Sequence, residues 1–212
     1  MILKERIPTP APEASASYDF QDIEEGVGFV SFNAATTSGS NILTRRVVYS
    51  TDISTTINPV SANHTKEIDK DFDTAAFNLP RTLKGTALIS VPLLTQTSGG
   101  GSRTSAYTVV DVKHWDGTTE TSLGRSTSGS YLLSPSTASQ VVSGSQLHKI
   151  VLTQKVFKAG DILRLTVEGY SVQGTGLMEI GHDPKIRVSD TDGAAKMSVT
   201  DLIADIPFKL DL

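Results

Sequence analysis

The sequence predicts an all-β protein, specifically an antiparallel β-sandwich with jelly-roll (Greek-key) topology and about eight to ten strands. Short segments alternate apolar and polar residues, as Leu163, Leu165 and Val167 do between polar neighbours. Only 6% of the residues are aromatic, and Ser, Thr and Gly are abundant, which is typical of short strands with polar outer faces. Long connections at 58–82 and 184–204 favour crossovers between two layers over an up-and-down barrel.

The first half of the chain contains three strand candidates. Residues 26–33 are apolar on both faces, which predicts burial, and residues 45–57 predict a strand or hairpin. Residues 63–73 are rich in charge and predict a solvated loop. Residues 86–94 place alternate apolar side chains on one face. Pro92 lacks a backbone donor and so predicts a strand end near a sheet edge or bulge.

The second half predicts a hairpin, a meander and a closing strand. Residues 106–115 alternate strongly, and Asp116-Gly117 after them is the strongest hairpin-turn dipeptide in the chain. Residues 147–184 read as a meander of three strands joined by Gly-containing turns. The last residues, 206–212, alternate without interruption and predict a strand docked in a sheet.

The chain is expected to comprise an extended, acidic, Pro-rich arm (residues 1–25) and one jelly-roll domain (residues 26–212). Pro8, Pro10 and Pro12 disfavour regular structure in the arm. The arm is either a disordered tail or a segment that docks on a neighbouring subunit. In the second case its apolar residues are the expected assembly contacts: Ile2, Leu3, Ile7, Tyr18, Phe20 and Ile23.

Charge and composition argue against several partners. The arm holds two basic and six acidic residues and so carries the whole net charge of −4, while the body is balanced. A neutral body without a basic stripe argues against nucleic acid as a partner. No apolar run reaches the roughly 20 residues of a membrane helix, and the N-terminus lacks the apolar core of a secretory signal. The absence of cysteine excludes disulfides and thiolate metal sites.

No set of residues predicts a metal or cofactor site. Asp69, Asp71 and Asp73 have the spacing of the first half of a calcium loop, but Thr74 and Pro80 occupy the positions that need glycine and a bidentate acid. A solvated charged loop is therefore the preferred interpretation. The four histidines have no metal-ligand spacing among themselves: His64, His114, His148 and His182.

A carboxylate pair and an aromatic pair are further candidate sites, and ordinary surface roles are the alternative for both. Glu168 and Glu179 could form a glycosidase carboxylate pair if they lay on adjacent strands, but Glu168 shares a polar face with Arg164, which favours a cross-strand ion pair. Trp115 and Tyr107 share a strand face and leave glycan binding open, although aromatic platforms are scarce. No nucleophile motif is present, so we expect no catalytic residues.

Three segments resemble jelly-roll virion structural proteins of tailed bacteriophages: FKAGDILRL at 157–165, IGHDP at 180–184 and the closing strand at 205–212. The resemblance implies a non-enzymatic capsid decoration, cement or minor capsid protein that is located in the virion and assembles with other capsid proteins. A homo-oligomer, with a trimer favoured, is expected. The alternative is a receptor- or carbohydrate-binding module of a viral fibre or spike. An enzyme is the third possibility, for which only isolated carboxylates speak.

Overall fold

The structure of the protein is a computed structural model. It describes residues 27–37, 40–46, 53–57, 63–97, 105–132, 140–172, 176–180 and 202–209. The expected arm, with Ile2, Leu3, Ile7, Tyr18, Phe20 and Ile23, lies outside the described residues, as does His182. The division into an arm and a single domain therefore stays a prediction.

The predicted all-β class is confirmed, since the secondary structure of the described residues consists of strands. Among these residues, no helix is long and apolar enough to span a membrane. The strands are β1 (Val27–Thr37), β2 (Ser40–Thr44), β3 (Ile53–Ile57), β4 (Thr65–Thr74), β5 (Arg81–Thr97), β6 (Ser105–Trp115), β7 (Glu120–Thr127), β8 (Tyr131–Leu132), β9 (Gln140–Phe157), β10 (Ile162–Val172), β11 (Gly176–Ile180) and β12 (Ile203–Lys209).

The strands join into one mixed sheet that curls nearly into a barrel. Its order is β3-β11-β5-β12-β1-β2-β4-β10-β6-β7, while β8 pairs with β6 and β9 pairs with β5. The β2–β4 pairing, through Ile42–Asp73 and Leu43–Thr74, is parallel and all others are antiparallel. The sequence predicted a fully antiparallel arrangement, so the parallel β2–β4 pairing differs from that prediction.

Alternation places the core where the sequence predicted it. In β5, the residues Ala87, Ile89, Val91 and Leu93 are almost completely buried, which confirms the predicted inner face. In β6, Ala106, Thr108, Val110 and Val112 are likewise buried. The interior also includes Phe72, Leu165 and Phe208 from β4, β10 and β12. Strand periodicity alone thus identifies the inner faces of β5 and β6.

Two sequence interpretations are corrected by the pairing. Residues 63–73 are not a solvated loop, because residues 65–74 form β4, with Ile68 and Phe72 inward and the carboxylates outward. The expected meander is also wrong: β9 pairs with β5, β10 with β4 and β6, and β11 with β3 and β5. Alternation identifies a strand and its inner face, but it does not specify the neighbour.

The predictions made from the Asp116-Gly117 turn and from Pro92 have different outcomes. The Asp116-Gly117 hairpin between β6 and β7 is confirmed, with Gly117 at φ 91° and the Asp116 carboxylate accepting two backbone hydrogen bonds of 2.9 and 2.7 Å. Pro92 does not end its strand, since β5 continues to residue 97 and pairs there with β9. It lies in the gap between Ser90, the last partner of β12, and Leu93, the first partner of β11. That gap fits a residue without an N–H donor.

Candidate functional surfaces

A polar face covers the outside of β4, β10, β6 and β7. It arises because alternate residues of these four strands point away from the core. Charged, hydroxyl and aromatic side chains from all four strands meet there. We define the polar face by Lys66, Asp69, Asp71, Asp73, Tyr107, Asp111, Lys113, Trp115, Glu120, Arg125, Arg164, Thr166, Glu168 and Tyr170.

Glu168 is the centre of one half of the polar face. Its residue is only 8% exposed. One carboxylate oxygen accepts hydrogen bonds from Arg125 at 2.5 Å and from the Tyr170 hydroxyl at 3.0 Å. The other oxygen accepts from Lys66 at 3.3 Å. Because both oxygens accept hydrogen bonds from cations or a hydroxyl, this carboxylate forms part of a cross-strand network.

Arg164 is the centre of the other half. Its guanidinium donates two hydrogen bonds of 2.7 Å to the two oxygens of Asp73, the bidentate geometry that makes such pairs strong. It also donates to Glu120 at 3.2 Å, and it lies 4.5 Å from the centre of the Trp115 ring. Hydrogen bonding to Asp73 is the largest cause of the raised pKa of Arg164.

The polar face brings together most of the residues singled out from the sequence, but in structural roles. Asp71 accepts a hydrogen bond from the Thr166 hydroxyl, so the Asp69-x-Asp71-x-Asp73 series faces side chains of its own layer. Within the described ranges, no three His, Asp or Glu residues converge in a way that could hold a metal ion. The expected ion pair of Glu168 is present, but with Arg125 and Lys66 in place of Arg164.

The glycosidase pair is not assembled on adjacent strands. Glu168 is on β10 and Glu179 is on β11, and these two strands have different partners. Trp115 and Tyr107 share the outer face of β6, as predicted. Arg164 covers one ring, and Tyr170 stacks on the other at 5.0 Å with an interplanar angle of 8°. Glycan binding stays an untested prediction.

A buried polar network inside the barrel was missed by the sequence reasoning. His148 is 1% exposed, and its Nε2 lies 2.9 Å from the hydroxyl of Thr108, which donates to Gln146 at 2.6 Å. Burial lowers the pKa of His148 to about 4, and the backbone of Ser126 opposes the shift. Inward parity with Ile150 in β9 was the signal that could have placed this histidine in the core. Because solvent does not reach the ring, His148 belongs to the interior and not to an accessible site.

A second buried pair fixes one end of the barrel. His114 Nε2 and the Asp161 carboxylate lie 2.7 Å apart, and the ring packs against Phe157 at 4.8 Å. The His114 hydrogen bond, followed by one from the Lys158 N–H, lowers the pKa of Asp161. Asp161 and the neighbouring Gly160 also exchange backbone hydrogen bonds with Phe77, at 2.9 and 2.8 Å. The pair therefore holds the 75–80 segment in place.

An apolar strip lies on the outer surface of β5 and β9, two strands that do not carry the polar face. Leu147 is 69% exposed, Val151 is 76% exposed and Leu88 is 38% exposed. In the register, Leu88 lies opposite Lys149, and Leu147 and Val151 flank this lysine along β9, so the three apolar residues lie near one another on the same outer face. We call Leu88, Leu147 and Val151 the apolar strip. Exposed apolar residues grouped on one outer face make this strip a candidate contact surface.

Comparisons with known proteins give fold-level likeness only. No family model and no curated protein matches the chain. An aminopeptidase from a marine sediment Thaumarchaeota archaeon is 9% identical, with a TM-score of 0.52 over 86% of this chain and 37% of its own. A CocE/NonD family hydrolase from Staphylococcus aureus is 10% identical, with a TM-score of 0.47 over 86% and 37%. The chain thus spans just over a third of these proteins' length.

These neighbours overturn part of the sequence analysis. The likeness with a TM-score above 0.5 is to an aminopeptidase and not to a phage virion protein, so the resemblance to phage virion proteins is wrong, and with it the capsid decoration function and the fibre-module alternative. The expectation of a non-enzymatic protein is corrected for the same reason. A Gly160-Asp161 turn and an alternating closing strand occur in many β-sandwiches, so these motifs indicate a fold but do not indicate a function. The expected homotrimer, capsid partners and virion location are not tested by these comparisons.

Proposed function

We propose that this chain is the β-domain of a hydrolytic enzyme and works against a separate catalytic unit. The observation that carries the proposal is the apolar strip on β5 and β9, on the outer surface of a fold shared with an aminopeptidase more than twice as long. A β-domain that functions alone gains nothing from exposing Leu147 and Val151 to water. Burying one such side chain contributes roughly 1.5–3 kcal/mol.

The polar face supports the same division of roles. Its carboxylates are held by Arg125, Arg164 and Lys66, so none stands ready as a general base. The histidines in the interior are screened from substrate, since His114 and His148 are buried. We therefore assign the reacting groups to the partner unit. The proposed reaction is the hydrolysis of ester or amide bonds.

We also infer that the curled sheet is a jelly roll with four added strands. The support is the order of two antiparallel sets of four, β1-β12-β5-β9 and β4-β10-β6-β7. The chain passes from one set to the other at β4–β5, β5–β6 and β9–β10, while β6 and β7 form a hairpin within one set. Two interlocked Greek keys have this pattern. An experimental structure with β5 beside β4 would contradict it.

The proposal is tested by retention of hydrolase activity from an extract of the cells that produce the protein. The tagged full chain and its Leu147→Asp and Val151→Asp variants are used as bait, and the retained fraction is assayed with aryl esters and aminoacyl p-nitroanilides. We expect the wild type to retain activity and each variant to retain about a tenth or less, the effect of losing a contact hot spot.

Val156→Asp is the matched control, because it places the same charge on β9 at another exposed apolar residue. It should retain as much activity as the wild type. The proposal is wrong if all four baits retain equal activity. It is also wrong if the purified chain alone hydrolyses these substrates, because the reacting groups would then lie within this chain.

A further inference from the structure

A pocket of about 470 Å³ opens where β2 ends and β5 begins. Its floor is apolar and consists of Phe32, Leu43 and Phe77, of which the first two are buried. Leu79 forms part of the wall and is 71% exposed. The volume lies within the range of small-molecule sites, about 300–1,000 Å³. An exposed leucine beside an apolar floor would be covered by an occupant.

The pocket is preformed. Phe77 packs edge-on against Phe157 at 5.3 Å and against Phe208 at 6.0 Å. Its backbone exchanges two hydrogen bonds with the turn that carries Gly160 and Asp161. The segment that forms the wall is thus fixed to the core on one side and to the turn on the other. A ligand would meet this wall without having to order it.

Two arginines line the pocket, Arg45 and Arg81. No Asp or Glu among the described residues forms an ion pair with either of them. Arg125 and Arg164 on the polar face, in contrast, are paired with carboxylates. Both line the same pocket, and partial burial and, second, the charge of Arg81 lower the pKa of Arg45, as expected for neighbouring like charges. An anion between them would remove this repulsion.

We propose that this pocket binds a carboxylate that carries an apolar chain. The carboxylate lies between Arg45 and Arg81, whose guanidinium forks match its two oxygens. The chain lies on the apolar floor and against Leu79. Neither the head nor the chain alone uses the whole site, so the pocket selects amphipathic acids. This inference does not depend on the hydrolase assignment.

Calorimetric titration of the full chain with three probes tests the proposal: decanoate, acetate and decanol. Decanoate, kept below its micelle concentration, should bind with one-to-one stoichiometry. Acetate lacks the chain and decanol lacks the charge, so each should bind at least about tenfold more weakly. Decanol binding as tightly as decanoate would overturn the role of the arginines, and acetate binding as tightly would overturn the role of the floor.

Variants separate the two arginines from general surface charge. Arg45→Gln and Arg81→Gln should each weaken decanoate binding about tenfold or more, the usual loss for a hydrogen bond to a charged group. Arg46→Gln is the matched control, since Arg46 is the next residue, is exposed and does not line the pocket. Removing one of two like charges should leave the melting temperature unchanged or raise it. The proposal is wrong if the pocket variants bind decanoate like the wild type, or if no saturable binding occurs.

Discussion

His148 makes the stability of the protein depend on pH between 6.5 and 4. The folded state holds the pKa of this residue at about 4, whereas the unfolded chain has the ordinary value of 6.5. As pH falls below 6.5, the unfolded chain takes up a proton that the folded state refuses, so the unfolded state binds more protons in this window. The stability that His148 contributes is therefore complete above pH 6.5 and is lost as pH falls towards 4.

The size of the loss follows from the two pKa values. At 1.36 kcal/mol for each pH unit, the step from 6.5 to about 4 corresponds to about 3 kcal/mol. The residue is almost completely buried, so solvent does not screen this effect. Against the 5–15 kcal/mol typical of domains, such a loss is a large fraction of the total.

Urea unfolding at pH 7, 5.5 and 4, followed by the emission of the single tryptophan, measures the effect. The matched variant is His148→Gln, whose amide can still donate to the Thr108 hydroxyl but does not titrate. We expect the wild type to lose about 3 kcal/mol more than the variant between pH 7 and pH 4. Carboxylates such as Asp161 and Glu120 titrate in both proteins and cancel in the difference. Equal pH slopes for the two proteins would refute a neutral, buried His148.

Two further predictions concern the closure of the barrel and the buried His114–Asp161 pair. Gly124→Ala should cost about 1–3 kcal/mol in urea unfolding, because a Cβ there would lie 2.8 Å from the Val151 carbonyl oxygen, while Gly129→Ala, with open space around it, should be nearly neutral. Equal midpoints for the two would contradict the approach of β7 to β9. Asp161→Asn should cost about 1–3 kcal/mol at pH 7, since His114 and the Lys158 N–H bond to the charged carboxylate. This stability is present above pH 3.8, the ordinary Asp value, and is lost as pH falls through the lowered pKa of Asp161, so a difference that persists at pH 2 would refute the assignment.

The sequence predicted faces better than it predicted neighbours. Alternation placed Ile89 and Val110 inside correctly, because the side-chain period of a strand depends only on its own residues. It did not show that β9 and β10, adjacent in the chain, belong to different pairings, since Gly160 and the turn around it are compatible with either a hairpin or a crossover. Charged residues dominate the segment 65–74, and Ile68 and Phe72 are the clearest apolar residues on its inner face. Because these two are so few, the alternation of a strand was hard to recognise in the sequence.

The same distinction explains why the candidate sites were hard to predict. Residue types on the polar face suggested chemistry, but pairing across strands neutralises it: Arg164 is held by Asp73, and Glu168 by Arg125. What remains available for a ligand is decided by which charges lack a partner in the fold, and this depends on tertiary proximity. Arg45 and Arg81 are 36 positions apart in the sequence and line the same pocket only because the chain returns past β2 at the start of β5. Cations without an acidic partner among the described residues, beside an apolar floor, are therefore a stronger indication of a binding site than the larger, but internally balanced, charge of the polar face.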